Sequence, residues 1–367
     1  MIKSQLNTHE QSMAEMKIVS SECLRRLGRE IFEACGAPPL EAAIVTDELI
    51  EASLMGLDSH GVIRIVQYAE DVFRGKIKPG APVTIVKETP STAIVDCGFN
   101  FGPVSAVHMS NIVCEKARGA NVACVVSQNG HHVSRLGAYV QKIAEQGMFG
   151  LAAANSSKHG HWVSPWGGSQ GRLATNPLAY AVPTSGLPLV FDMSTSMISE
   201  GKIRTLIAEG KTVPPGCIRD GDGNPSTDPK DFYGPPRGTI QPFGSALGYK
   251  GFGLGLLVEI LGALLAGQAS SLDLPYINGL CLIAINPEAF CGQERFKMMI
   301  DGLCEYVTSC PLAPGFSEVV MPGALDFRKR EKRSVEGIPV AQSTWTEILS
   351  VAERLGMASK ETALEQV

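Results

Sequence analysis

Charge and aromatic groups are scarce in this chain: Asp, Glu, Lys and Arg make up 19% of its 367 residues, and Phe, Trp and Tyr 6%. With 32 Lys and Arg against 37 Asp and Glu, no basic stripe is left for nucleic acid. The one basic run, residues 328–333, is interrupted by Glu331 and reads as a solvated helix or loop face. The ten cysteines include no C-x-x-C pair. Several, such as Cys124 and Cys281, sit inside apolar runs, where a thiol behaves as a small hydrophobe. That usage fits a reducing compartment and excludes a disulfide frame. The amino-terminal residues lack the apolar stretch of a signal peptide, and no window approaches about 18 uninterrupted apolar residues. Also missing are a Walker A sequence, an H-E-x-x-H pair, an internal repeat, and a G-x-G-x-x-G loop after a strand. These absences leave a cytoplasmic globular protein with no nucleic-acid and no membrane partner. It is long enough for two or three domains, or for one interlaced one.

What is present has the grammar of an α/β protein. Residues 1–16 are polar and read as a disordered or extended tail. Helices follow from Ser20 to Gly36 and after Pro38-Pro39, and the stretch 58–68 begins a third. A strand pair is expected over 78–96. Helix and strand then alternate: helix 104–117, strand 121–126, helix 136–146, strand 148–154, and strands 178–182 and 189–192. Residues 211–247, rich in Gly, Pro and Asp, read as a long surface connection. The apolar helix 251–266 is expected to be buried. A strand over 279–285, a helix over 293–308 and a terminal helix over 343–356 complete the chain. Gly251-Phe252-Gly253-Leu254-Gly255 lacks the spacing of a dinucleotide loop, and close helix packing explains it equally well.

Five of the seven histidines fall in three segments: His60, the pair His131-His132, and His159 with His161. A lone histidine is more often a satisfied core residue than a catalyst, so context decides. His60, Arg64 and Tyr68 recur at four-residue spacing, and on one helix they share a face. Arg64 offers a fork for a carboxylate, and His60 titrates where proton transfer is useful. Ser59 can cap the helix or bind a ligand there. His132 lies in a loop at a strand's carboxyl end, where α/β proteins place ligands. The alternative is a metal hydrolase using His131, His159 and His161, although no acidic partner accompanies them at ligand spacing.

Six motifs occur in order: Asp58-Ser59-His60-Gly61-x-x-Arg64, Asn129-x-x-His132, Pro165-Trp166-Gly167-Gly168, Ala174-Thr175-Asn176-Pro177, Phe191-Asp192-Met193-Ser194-Thr195-Ser196 and Gly248-Tyr249-Lys250-Gly251-Phe252-Gly253-Leu254. From about residue 17 to 356, the chain resembles the malate/L-lactate dehydrogenase family of the non-Rossmann type. That family includes ureidoglycolate, sulfolactate and diketogulonate dehydrogenases and piperideine-2-carboxylate reductases. The resemblance implies an α/β fold with a non-Rossmann cofactor-binding sheet flanked by helices, and a helical module formed from both chain ends. Its divisions would be 17–90 packed with 326–367, and 91–325 carrying the loop-rich subregion 211–247. It also implies a homodimer with the active site in a cleft between domains. NAD or NADP would exchange a hydride with a small anionic 2-hydroxy or 2-oxo acid, or with a cyclic imino acid such as piperideine-2-carboxylate.

By motif position, the resemblance places Ser59, His60, Arg64, Tyr68 and His132 around the substrate. It places Asp192, Met193, Ser194, Lys250, Gly323 and Ala324 along the cofactor, with Asn155 and Ser156 near the nicotinamide. The segment 156–163 is longer than usual for the family, and Tyr249 and His131 replace its common His and Asn. Arg64 is expected to hold the substrate carboxylate. His60 is the first choice for the proton carrier and His132 the second.

Overall fold

A computed structural model describes residues 16–208, 210–269 and 277–357; of the expected polar tail, only Met16 falls among them. The chain divides into two units, Met1–Gly80 with Leu325–Val367, and Ala81–Ala324. It enters the first unit through β1 (Met16–Val19), α1 (Ser21–Ala34), α2 (Pro39–Leu54) and α3 (Arg64–Phe73). Ser20 caps α1, its Oγ accepting from the Cys23 amide at 3.2 Å. Helix α1 buries Leu24, Leu27, Ile31 and Phe32 along one stripe. Prolines open α2, where the missing N–H has no partner to lose.

The stretch 58–68 is not the single helix expected. Asp58–His60 form a 3-10 turn, Gly61 redirects the chain, and α3 starts only at Arg64. A side chain at position 61 would collide with Ser53 Oγ, so the break requires glycine. His60 therefore does not share a helix face with Arg64 and Tyr68.

The second unit begins with the antiparallel hairpin β2 (Thr84–Glu88) and β3 (Thr92–Asp96). A division at residue 90 would split that hairpin, whereas the observed one at Gly80 keeps its hydrogen bonds in one unit. Then come α4 (Gly102–Ala120), β4 (Val122–Gln128), α5 (Gly137–Glu145), β5 (Phe149–Ala154), β6 (Leu178–Val182) and β7 (Leu189–Met193). They are followed by α6 (Glu200–Ala208), the short strands β8 (Ile218–Arg219), β9 (Pro225–Ser226) and β10 (Thr239–Ile240), α7 (Tyr249–Gly262), β11 (Leu280–Ile285) and α8 (Gln293–Thr308).

Seven strands form the main sheet in the order β2-β3-β4-β11-β5-β6-β7. Only β3 and β4 run parallel; the other neighbours are antiparallel. Alternation sends Val126, Cys281 and Ala153 to one face, where they pack with Val258 of α7. Val125, Leu282 and Ala152 point the other way and are fully buried. On that second face a Cβ at Gly150 would touch Val140 and Ile143 of α5.

Two expectations need correction. Residues 211–247 are not a plain surface connection: β8, β9 and β10 pair into a small sheet. Val213, Cys217, Ile218, Phe232 and Ile240 pack there with Val163, Leu173 and Ile203. Helix α7 is only half buried. Gly251, Gly255, Val258, Glu259 and Gly262 face inward, while Leu256, Leu257 and Ile260, with Leu264 and Leu265 just beyond, are exposed. The segment Tyr249–Ala266 is long and apolar enough to pass for a membrane span, a test that core helices also meet. Gly251 is required for packing, since a Cβ there would overlap the Phe243 backbone, whereas Gly253 faces open space.

The chain returns to the first unit as α9 (Ala324–Glu336), β12 (Ile338–Ala341) and α10 (Gln342–Arg354). β12 pairs antiparallel with β1, Met16 opposite Ala341. The basic run on α9 is not simply solvated. Arg330 Nε meets Glu51 at 2.7 Å, and Arg333 Nη1 meets Asp58 at 2.6 Å.

Candidate active site

Two polar constellations emerge, one in each unit. In the first, the turn Asp58–His60 is tied down by side chains from several elements. Ser53 Oγ accepts from the Val62 amide at 3.0 Å. Arg64 Nε donates to the Ser59 carbonyl at 2.7 Å, and Arg64 Nη1 donates to Gln67. Ser59 Oγ lies 2.9 Å from His60 Nδ1. It caps neither the turn nor α3, since neither has a side-chain cap. Tyr68, one turn beyond Arg64 on α3, is buried.

Arg333 is the residue of this constellation that sequence reasoning missed. It grips Asp58 with both terminal nitrogens, at 2.6 and 3.2 Å, and also donates to the Ser53 carbonyl. The pairing joins positions 275 residues apart, and no local pattern announces it. Replacing Arg333 with Gln is expected to lower kcat/KM about fivefold to tenfold, through loosening of the Ser59-His60 turn. Steady-state kinetics at a temperature where circular dichroism shows an intact fold would check this; unchanged kinetics would refute it.

Burial lowers the His60 imidazole pKa from its ordinary 6.5 to about 4, and the nearby Arg64 charge adds to the effect. His60 is therefore neutral at pH 7. An unfolded chain takes a proton at His60 below pH 6.5, whereas the folded chain refuses it down to about pH 4. Stability from this group is thus complete above pH 6.5 and declines by up to about 3 kcal/mol as pH falls to 4. Urea titrations at pH 7 and pH 4.5 should show a smaller loss in His60→Asn than in the unmodified chain. Equal losses would contradict the shift.

In the second unit, strand direction does the assembling. β3, β4, β5 and β7 all end at the same end of the sheet, and β6 and β11 begin there. That end consequently gathers the Asn129–His132 loop, Asn155, Ser156, Asn176, and the Asp192-Met193-Ser194 segment. Asn129 Nδ2 donates to Asp96 Oδ1 at 3.0 Å, and the Gly130 carbonyl accepts from the Asn278 amide at 2.9 Å. His131 is buried, its ring 6.0 Å from that of Phe99. His132 keeps partial exposure, with the Ser134 amide 3.4 Å from its Nδ1. Ser134 sits at φ 60°, a backbone conformation costly for serine, and such strain is often held at functional loops.

The expected cofactor residues divide into two groups. Asn155 is buried and committed within the protein: Nδ2 donates to Glu259 at 3.0 Å and Oδ1 accepts from the Gly279 amide at 3.0 Å. Asn176 Nδ2 donates to the other Glu259 oxygen at 3.1 Å. Asn155 thus shapes the end of β5, and its amide is not presented to a ligand. Ser156 is buried beside it. Asp192 Oδ2 accepts from the Gly137 amide at 2.6 Å and so caps α5. Met193 and Ser194 follow at the end of β7, where the Ser194 hydroxyl donates to the Ser196 carbonyl at 3.2 Å.

Lys250 is exposed in the first turn of α7, whose N-terminus has no side-chain cap, a setting suited to a phosphate. Gly323, at φ 83°, backs onto Val190 of β7; a Cβ there would lie 2.8 Å from the Val190 carbonyl. Ala324 opens α9. Buried and unpartnered, Ser157 Oγ, Asn176 Oδ1 and Asn278 Oδ1 add acceptors at this end of the sheet. A cationic helix start and unsatisfied polar atoms fit a polar, phosphate-bearing cofactor.

His159 is exposed, and burial lowers the pKa of His161. Among the described residues, no three His, Cys, Asp or Glu side chains are grouped to hold a metal ion.

The sequence profile of the malate/L-lactate dehydrogenase family matches residues 19–349. Malate dehydrogenase of Pyrococcus abyssi is 32% identical over 341 residues, covering 90% of this chain and 93% of its own. The structure of sulfolactate dehydrogenase from Methanocaldococcus jannaschii aligns at TM-score 0.84 and 31% identity, over 93% of this chain and 98% of that one. Δ1-Piperideine-2-carboxylate reductase from Pseudomonas syringae aligns at TM-score 0.79 and 28% identity, over 92% and 100%.

Proposed function

We propose, from the premise that this chain belongs to the malate/L-lactate dehydrogenase family and is an oxidoreductase of 2-hydroxy acids, that it interconverts a small anionic 2-hydroxy acid and its 2-oxo acid with NAD or NADP. The observation that carries this reading is the family match over residues 19–349. A bound nicotinamide supplies or accepts the hydride. Lys250, Ser194, Gly323 and Ala324 are the residues proposed to hold that cofactor.

This chain's own groups do the rest. Arg64 pairs with the substrate carboxylate through its planar fork. The substrate oxygen must gain a proton on reduction and lose one on oxidation. His60 is neutral down to about pH 4 and has no proton to give at pH 7, so His132, the second candidate, is the proton donor in the reductive direction of this proposal. Neutral His60, held by Ser59, serves as a hydrogen-bonding partner of the same oxygen. Tyr68 supports the substrate side one turn beyond Arg64.

The match to a piperideine-2-carboxylate reductase favours a second reading, reduction of a cyclic imino acid with NADPH. A panel of 2-oxo acids and cyclic imines, run with NADH and NADPH in parallel, separates the two. Turnover confined to imines selects the second reading, and no turnover with any substrate refutes both.

The partner proposed is a second copy of the chain. The exposed stripe Leu256, Leu257, Ile260, Leu264 and Leu265 is the kind of contiguous apolar surface a monomer rarely keeps. Light scattering should give twice the chain mass, and Leu257→Asp with Ile260→Asp should give one; a monomeric unmodified chain would rule the dimer out. A cytosolic location is proposed from the ten cysteines, all free.

A further inference from the structure

Cys124 on β4 and Cys281 on β11 bring their Sγ atoms to 3.7 Å. In the antiparallel register Cys281 lies opposite Val126 and Cys124 opposite Ile283, so the cysteines are diagonal neighbours on one face of the sheet. They pack with Val126, Ala153, Val258 and Ala266. The two thiols are not equivalent. Cys281 is completely buried, while Cys124 keeps partial exposure. The Cys281 thiol shares its hydrogen with Cys124, which favours the Cys124 thiolate and disfavours that of Cys281. A more accessible thiolate backed by a buried second thiol is the arrangement of a reactive cysteine with its resolving partner.

We propose that Cys124 and Cys281 form a two-electron redox site, in which a peroxide oxidises Cys124 and Cys281 resolves it as a reversible disulfide within the chain. The Cys124 thiolate attacks one peroxide oxygen, the O–O bond breaks, and hydroxide leaves and takes up a proton. Cys124 is then a sulfenic acid. The Cys281 sulfur attacks the sulfenic sulfur, the S–S bond forms as the S–O bond breaks, and the hydroxyl departs with the Cys281 proton as water. Two thiols and one peroxide give one disulfide and two waters, so the balance closes.

Diagonal neighbours are about 7–8 Å apart across a sheet, just beyond the usual backbone separation for a disulfide. From 3.7 Å the sulfurs must close by about 1.7 Å to bond, which requires the strands to shift slightly. The bond would tie together the strand that leads into the Asn129–His132 loop and the strand that starts beside Asn155.

The test uses the full-length protein, freed of reductant and treated with hydrogen peroxide at stoichiometric amounts. Alkylation under denaturing conditions and peptide mapping by mass spectrometry follow. The expected product is a cross-linked peptide pair joining Cys124 and Cys281, lighter by two hydrogens, that disappears on treatment with dithiothreitol. In Cys281→Ser, Cys124 should instead be captured by dimedone as its sulfenic acid; in Cys124→Ser, Cys281 should remain a thiol. The proposal is overturned if Cys124 of the unmodified chain stays reduced, or advances to a sulfinic acid beside a free Cys281. It is equally overturned if every disulfide found involves the exposed Cys291 or Cys310. The map of the unmodified chain decides the matter even if a variant folds poorly.

Discussion

Replacing His132 with Ala is expected to lower kcat about a thousandfold, within the range by which a positioned acid–base group accelerates a reaction. The reason lies in the contrast between two histidines. His60 is the more obvious candidate in the sequence, one turn from Arg64, yet burial and the Arg64 charge hold it neutral until about pH 4. A group in that state neither gives a proton at pH 7 nor takes one strongly. His132 lies in a strained loop at the sheet end where the unit's motifs gather, and keeps partial exposure. His60→Ala, removing only a hydrogen bond to the reacting oxygen, should cost roughly tenfold in kcat. Stopped-flow and steady-state rates for both variants, alongside cofactor binding followed by nicotinamide fluorescence, make the comparison. Cofactor affinity should stay within a few-fold in both. The reverse ranking of the two losses would return proton transfer to His60.

The second large effect is expected from Arg64→Lys, which keeps the charge and should still cost about a hundredfold in kcat/KM for a 2-oxo acid, near 3 kcal/mol. Lysine cannot supply the planar fork. It also cannot make both contacts of the observed guanidinium, Nε to the Ser59 carbonyl at 2.7 Å and Nη1 to Gln67. The loss should therefore divide between KM, from the carboxylate, and kcat, from a slackened Ser59-His60 turn. A methyl ester of the same acid, with no carboxylate to hold, should lose much less. If acid and ester fall equally, Arg64 supports the turn alone and does not bind the substrate.

Much of the molecule was legible from residue order. Apolar periodicity located most helices and strands within a few positions, because it records which side of a local element is buried. The capping serine at position 20 and the prolines at 38 and 39 marked real helix starts. Periodicity failed at 58–68 because four-residue spacing says nothing about the chain break at Gly61, which arises from the approach of Ser53. It failed at α7 because an all-round apolar helix does not announce which of its sides finds a neighbour. It failed at 211–247 because two-residue strands are too short to show alternation, and a cluster around Phe232 and Ile240 forms only on folding.

The amino-acid order by itself determined the element sequence, the six motifs, the free thiols and the family, all of which rest on local patterns or on ordered matches along the chain. Tertiary structure alone decided that the motifs of the second unit share one sheet end, since strand direction is set by pairing between distant segments. It alone brought Arg333 to Asp58 across 275 positions and Cys124 to Cys281 across 157. It also set the low pKa of His60, because the protonation of an imidazole depends on how much water and charge surround it. Those surroundings are assembled only when the chain has folded.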